Sequence, residues 1–105
     1  MATTAVQMYR GAASLTTTTT LYTVPTTGTQ SIITNIVVTN TTGTAQTFTL
    51  AFDGIAFATA AAIAGNGQAL FDLKQVLPAN ATPKTITGGA SATSVNFHIS
   101  GVEIV

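Results

Sequence analysis

The sequence predicts an all-β protein, a single, mainly antiparallel β-sandwich that is jelly-roll-like or immunoglobulin-like, with eight or nine short strands. Three observations carry this. Thr dominates the chain, with Ala, Val and Ile behind it, and β-branched side chains that lose χ1 freedom in helices fit pleated strands. Turn signals built on Gly, Pro, Asn and Asp recur roughly every 10 to 15 residues. The connections between the apolar runs are too short for the long crossovers that parallel pairs need. No Cys–Trp–Cys pattern marks a true immunoglobulin domain.

The elements follow in order. AVQMYRG reads as a short strand before Gly11, and TTTTTLYTVP as a longer one stopped by Pro25. In IITNIVVTN, Ile32, Ile36 and Val38 share one face and Ile33 and Val37 the other, a pattern that suits a central strand with protein on both sides. TTGT (41–44) is expected to close a hairpin into TFTLAFD, where Phe48, Leu50 and Phe52 point inward and Thr47, Thr49 and Ala51 outward. Asp53-Gly54 is a hairpin signal into IAFATA, and Asn66-Gly67 another into QALFDLKQVL. In residues 69–77, Phe71, Leu73, Gln75 and Leu77 alternate as in a strand, whereas Leu70, Leu73 and Leu77 fit a helical stripe. The Asn-Gly turn before them favours the strand. KTIT is a short strand before Gly88-Gly89. In SVNFHISGVEIV the apolar set Val95, Phe97, Ile99 shifts by one to Val102 and Ile104, a phase change expected of a β-bulge at Ser100-Gly101. The apolar end at Val105 is expected to be paired in a sheet.

Charge is the outlier. Only Arg10, Asp53, Asp72, Lys74, Lys84 and Glu103 are charged, 6% of 105 residues, and the net charge is zero. Ordinary domains carry roughly 25% charged residues. A charge-poor, neutral surface resists association weakly, so part of it is expected to be covered by a partner or by further copies. The absence of Cys removes disulfides, thiolate metal sites and a Cys nucleophile. MATTAVQMYRG has neither a basic nor an apolar segment of a secretory signal, so cytosolic synthesis is the expectation. IAFATAAAIAG falls short of the roughly 18 apolar residues of a membrane span. The sequons at Asn40 and Asn80 then read as unused.

The residues that carry chemistry are sparse. His98, the sole histidine, lies on the face of Asn96 and Ser100, and no G-x-S-x-G stretch supplies a reactive serine. Three scattered carboxylates form no cation-binding loop, and the glycines form no phosphate-binding fingerprint. Three cations at zero net charge do not make the basic patch that nucleic acid requires. The reading is a non-enzyme with no catalytic, cofactor or metal residues, no small-molecule substrate, and no nucleic-acid or membrane partner. Thr16, Thr18 and Thr20, if on one strand face, would form a ladder like that of an ice-binding surface, without the repeat such solenoids show.

MYRGAAS, TLYTVP, ITNIVVTNTTGTAQTFTLAFDG, DLKQVL and VNFHISGVEIV, in that order, resemble small virion structural proteins of actinobacterial tailed phages, found as stand-alone chains and within minor tail proteins. The resemblance covers nearly the whole chain. It implies a virion structural protein without enzymatic activity. A free-standing, charge-poor sandwich of this size resembles a capsid decoration (cement) protein, a homotrimer bound to the major capsid protein on the outer surface of the phage head. The chain divides on this reading into an N-terminal strand or arm, 1–14, and a sandwich, 15–105. Met8, Tyr9 and Arg10 are the candidate partner contacts, since Tyr and Arg are favoured anchors; the alternative is that AVQMYR is an edge strand with Met8 in the core. A tail or tail-tip component and a free adhesion or ice-binding module are the competing functions.

Overall fold

The computed structural model describes residues 3–25, 30–78 and 84–104. Within them lie eight strands: β1 (Thr3–Ala12), β2 (Thr20–Thr23), β3 (Gln30–Asn40), β4 (Gln46–Phe52), β5 (Ile55–Ile63), β6 (Gln68–Leu77), β7 (Thr85–Ala90) and β8 (Val95–Ile104). They form two four-stranded sheets. Sheet A has the order β1-β8-β3-β6 and sheet B the order β2-β7-β4-β5. Every pairing is antiparallel. Of the seven connections, only β4–β5 stays within a sheet; the other six cross between sheets. Eight strands wound alternately through two sheets are a jelly roll, and the immunoglobulin alternative falls away.

The alternation in β4 is as expected: Phe48 and Leu50 are buried and Phe52 packs against the core. Ile33, Ile36 and Val38 of β3, Ile86 of β7, and Val95, Phe97 and Ile99 of β8 fill the space between the sheets, each fully buried. All five phenylalanines connect. Phe97 packs edge-on against Phe48, Phe48 against Phe71 and Phe71 against Phe57, which stacks on Phe52 at 5.0 Å. This chain of rings runs from the centre of the core to the β5–β6 margin. Residues 69–77 are strand, as favoured, and Asp53-Gly54 turns a true hairpin, with φ of 56° and 76° as a type I′ turn requires.

Several expectations are corrected. TTGT closes no hairpin, because β3 belongs to sheet A and β4 to sheet B. Asn66-Gly67 likewise carries the chain from β5 in one sheet to β6 in the other. The strand expected over TTTTTLYTVP shrinks to Thr20–Thr23. Thr16 to Thr19 instead make a turn, in which the Thr19 amide and hydroxyl both donate to the Thr16 carbonyl. No Thr16–Thr18–Thr20 ladder therefore exists. Gly88-Gly89 is inside β7, not beyond it. In β3, an extra residue between Ile33 and Asn35 regroups the faces: Ile33, Ile36 and Val38 turn inward, and Ile32 and Val37 outward.

The bulge expected in β8 lies in its neighbours. Opposite the step from Ile99 to Ser100, β1 carries an extra residue at Met8, and opposite the step from Ser100 to Gly101, β3 carries one at Thr34, while β8 keeps a regular alternation. A Cβ on Gly101 would come within 2.2 Å of the Ile32 carbonyl oxygen and 2.5 Å of the Met8 methyl. The glycine lets both bulged strands close on β8. Asn80 and Val105 lie outside the described residues; Asn40 is 2% exposed and its amide is engaged in the fold, so that sequon is closed to modification in the folded chain.

Candidate interaction surfaces

The jelly roll gathers four connections at one end and three at the other. At one end the β3–β4 and β5–β6 loops are knitted by Asn40. Its amide donates to the carbonyls of Thr44 and Ala64, at 2.8 and 3.2 Å. Its side-chain oxygen accepts from the amide and hydroxyl of Thr42, at 3.1 and 2.9 Å. A Cβ on Gly65 would sit 2.3 Å from the Gly43 carbonyl, so the two loops touch backbone to backbone. Near the other end, Tyr22 of sheet B reaches across the core to sheet A. It donates a short hydrogen bond to the Glu103 carboxylate. With its one proton so used, its oxygen accepts from the fully buried Ser31 hydroxyl at 2.8 Å. Burial first, then the hydrogen bond to and the charge of Glu103, push the Tyr22 hydroxyl up to about 12, against a smaller lowering by Ser31. These groups tie the sheets together and present no reactive atom.

The outer faces of the two sheets differ in chemistry. On sheet B the outward positions in β4 and β7 are Thr47, Thr49, Ala51, Thr85, Thr87 and Gly89, with Thr20 and Thr23 of β2 in register beside them. Part of this face is crossed by the β1–β2 loop: a Cβ on Gly89 would meet the carbonyls of Ser14 and Thr16 at 2.6 Å. On sheet A the outward residues form cross-strand rows. One row reads Ala5, Val102, Ile32, Val76, and another Arg10, His98, Val37, Leu70. Leu70 and Val76 are 68% and 55% exposed. Around the corner, on the margin of sheet B, Ile55 is 73% exposed and Phe57 is exposed beside it. There a cleft of about 490 Å³ opens between the β4–β5 turn and the end of β6, lined in part by Asp53, Ile55, Phe57, Val76 and Lys84. Four of the five exposed large apolar residues thus lie along the β5–β6 margin.

The three candidate contacts fall in different environments. Met8 is 6% exposed and packs in the core at its bulge. Tyr9 is half-buried, packed against the core, and its hydroxyl donates to the Ala12 carbonyl. Arg10 is exposed on the outer face of sheet A, in register with His98. All three sit on β1, an edge strand of the sandwich paired to β8. The apolar face of sheet A was visible in the sequence as the double-sided pattern of β3. The β5–β6 margin was not, because IAFATA reads only as the strand after the Asp53-Gly54 turn, which does not tell that it lies at a sheet edge. Among the described residues no three His or acidic side chains gather as a metal site.

Comparisons with known proteins bear on the fold. No protein-family model and no curated protein matches the sequence. Among solved structures, the chain is similar to a protein of the T13 viral particle of IBDV, with a TM-score of 0.54 and 12% identity over 97% of this chain and 30% of that one. It also matches part of a pentameric capsid protein from metagenomic phage sequences (TM-score 0.36, 16% identity, 96% of this chain and 58% of that one). A third match is exo-β-1,3-galactanase of Phanerochaete chrysosporium (TM-score 0.41, 14% identity, 97% and 29%). The chain spans about a third of the IBDV protein it matches. At these identities the likeness is one of fold, and of these three the IBDV protein, with a TM-score of 0.54, carries it.

Proposed function

We propose that this chain is a non-enzymatic virion structural protein, a capsid decoration protein that binds the outer surface of a phage head and stabilises the shell. The observation that carries the reading is the unpartnered apolar outer face of sheet A on a chain with almost no charge. A jelly roll needs to bury only the inner face of each sheet. Here β3 and β8 place Ile32, Val37 and Val102 on the outer face as well, with no further layer over them among the described residues. An apolar, hydroxyl-rich surface loses little on desolvation when it meets another protein. Many copies on a repeating shell gain avidity that no one contact supplies.

The resemblance to actinobacterial phage virion proteins and the fold shared with a viral particle protein support the same reading. In it the chain is made in the host cytoplasm and acts as a homotrimer on the major capsid protein. The N-terminal stretch 1–14, with Arg10 and the free edge of β1, meets the shell or a neighbouring copy. The test is to purify virions of the phage encoding this chain, separate heads from tails, and quantify the chain in each by mass spectrometry. Many copies in the head fraction are expected, reduced at least tenfold by Arg10→Glu. Recovery only with tails would move the function to adsorption or tail assembly, and absence from virions would overturn the reading.

A further inference from the structure

We infer that the chain assembles with itself head to tail, the β5–β6 margin of one copy docking on the outer face of sheet A of the next. This rests on the homo-oligomeric part of the reading above and names the two surfaces involved. The exposed apolar residues do not share a plane. Ile32, Val37 and Val102 lie on the face of sheet A, whereas Ile55 and Phe57 lie on the edge of sheet B, and Leu70 and Val76 stand at the corner between them. The face and the edge of a sandwich stand at roughly a right angle. One self-complementary plane produces a two-fold pair. Two non-parallel surfaces that fit each other produce a heterologous contact, which closes into a ring when its rotation closes and otherwise runs on as a filament.

Charge fits this arrangement. On the face of sheet A, Arg10 is exposed at one end of the row Arg10, His98, Val37, Leu70, and the exposed Asp72 lies in the next row at the β6 edge; the margin carries the opposite pair, Asp53 and Lys84. On the margin, Asp53 is exposed at the tip of the β4–β5 turn, next to Ile55. Docking Ile55 and Phe57 against Val37 brings Asp53 toward the Arg10 end of the row. Size fits as well. Four strands about 4.8 Å apart and four or five rows about 6.8 Å apart make a face of roughly 500 Å². Covering it buries about 1,000 Å² over both partners, the lower bound for a specific interface. That is small enough to need ring closure for stability.

The test reads the mass of the purified full-length chain by light scattering. The chain is expected as a closed oligomer. Val37→Asp breaks the face and Ile55→Asp breaks the margin; Val37 points outward and Ile55 is 73% exposed at the open edge, so circular dichroism is expected unchanged and each variant monomeric. A mixture of the two retains one good pair of surfaces and is expected to form heterodimers. Because the chain has no cysteine, Val37→Cys and Ile55→Cys copies provide a second readout with a short bis-maleimide linker. Cross-linked heterodimers should form in the mixture and homodimers in neither variant alone. Val37→Cys homodimers, or an assembled Ile55→Asp variant, would overturn the head-to-tail contact in favour of face-to-face pairing. A monomeric parent chain, or a mixture with neither heterodimers nor cross-links, would overturn it too. Monomers that still bind heads would end this inference and leave the decoration reading intact. Rings in solution with no chain on heads would do the reverse.

Discussion

Sheet B is one-sided and sheet A is two-sided. Both contribute large apolar residues to a common core, Phe48, Leu50 and Ile86 from one and Ile33, Ile36, Phe97 and Ile99 from the other. Outside, sheet B shows Thr, Ala and Gly, the expected solvated face of an antiparallel sheet. Sheet A shows Val102, Ile32, Val76, Val37 and Leu70. Six threonines, Thr20, Thr23, Thr47, Thr49, Thr85 and Thr87, lie on the outer face of sheet B, and the apolar rows lie on the opposite side of the molecule. A Thr-rich chain is not by itself a sticky one; what matters is which sheet places large apolar side chains outside, and on sheet A two apolar rows flank the polar row Gln7, Ser100, Asn35 and Asp72.

The largest effect should separate the two sheets at their glycines. On Gly101 a side chain strikes the backbone of β3, a central strand held on both sides. On Gly89 it strikes a loop that can move outward. Gly101→Ala should cost about 3 kcal/mol and Gly89→Ala about 1 kcal/mol, measured by urea denaturation; equal costs would remove the distinction between a clamped and a yielding sheet. Next come the two ends. Asn40→Ala removes the buried side chain that bonds Thr42, Thr44 and Ala64 across the sheet-switching loops and should cost about 2 kcal/mol. Tyr22→Phe removes the cross-sheet bond near the other end and should cost about 1 kcal/mol.

Tyr22 also predicts a pH dependence. Its pKa is raised to about 12 in the folded chain from about 10 when unfolded. The folded state thus holds the proton more tightly. The contribution is complete below about pH 10 and is lost as pH rises through about 12. Urea midpoints at pH 9 and pH 11.5 should fall further for the parent chain than for Tyr22→Phe, and parallel falls would remove Tyr22 as the cause. The smallest effect is at the free edge of sheet B. Ala60 has a φ of 46°, with its amide bonded to the Thr49 hydroxyl. Ala60→Gly relieves a left-handed alanine and should raise stability by about 0.5 kcal/mol.

Much of this fold was legible where a strand has one wet face. TFTLAFD alternates cleanly and Asp53-Gly54 specifies its turn. Legibility failed at the crossings between sheets. TTGT and Asn66-Gly67 have hairpin chemistry, but turn residues record only that the chain bends, not whether the next strand pairs in the same sheet. The deciding group at TTGT is Asn40, an Asn at a strand end whose side chain organises the bend. The shift from Val95, Phe97, Ile99 to Val102 and Ile104 was read as a bulge for an instructive reason. Val102 and Ile104 remain on the outward phase of β8; the pattern changes because the outer face of sheet A becomes apolar there, while Glu103 turns inward to Tyr22. What looked like a defect in one strand was the apolar outer face of sheet A. Met8 looked exposed because an edge strand near a terminus gives no hint of the bulge that turns it inward.

The most direct test of the central claim is a cryo-electron microscopy map of the intact virion at a resolution that traces this chain. The account predicts density on the head, with the outer face of sheet A and the β5–β6 margin covered by protein and the threonines of sheet B facing solvent. A chain bound through its threonine face, with Ile32, Val37 and Val102 bare, would contradict it.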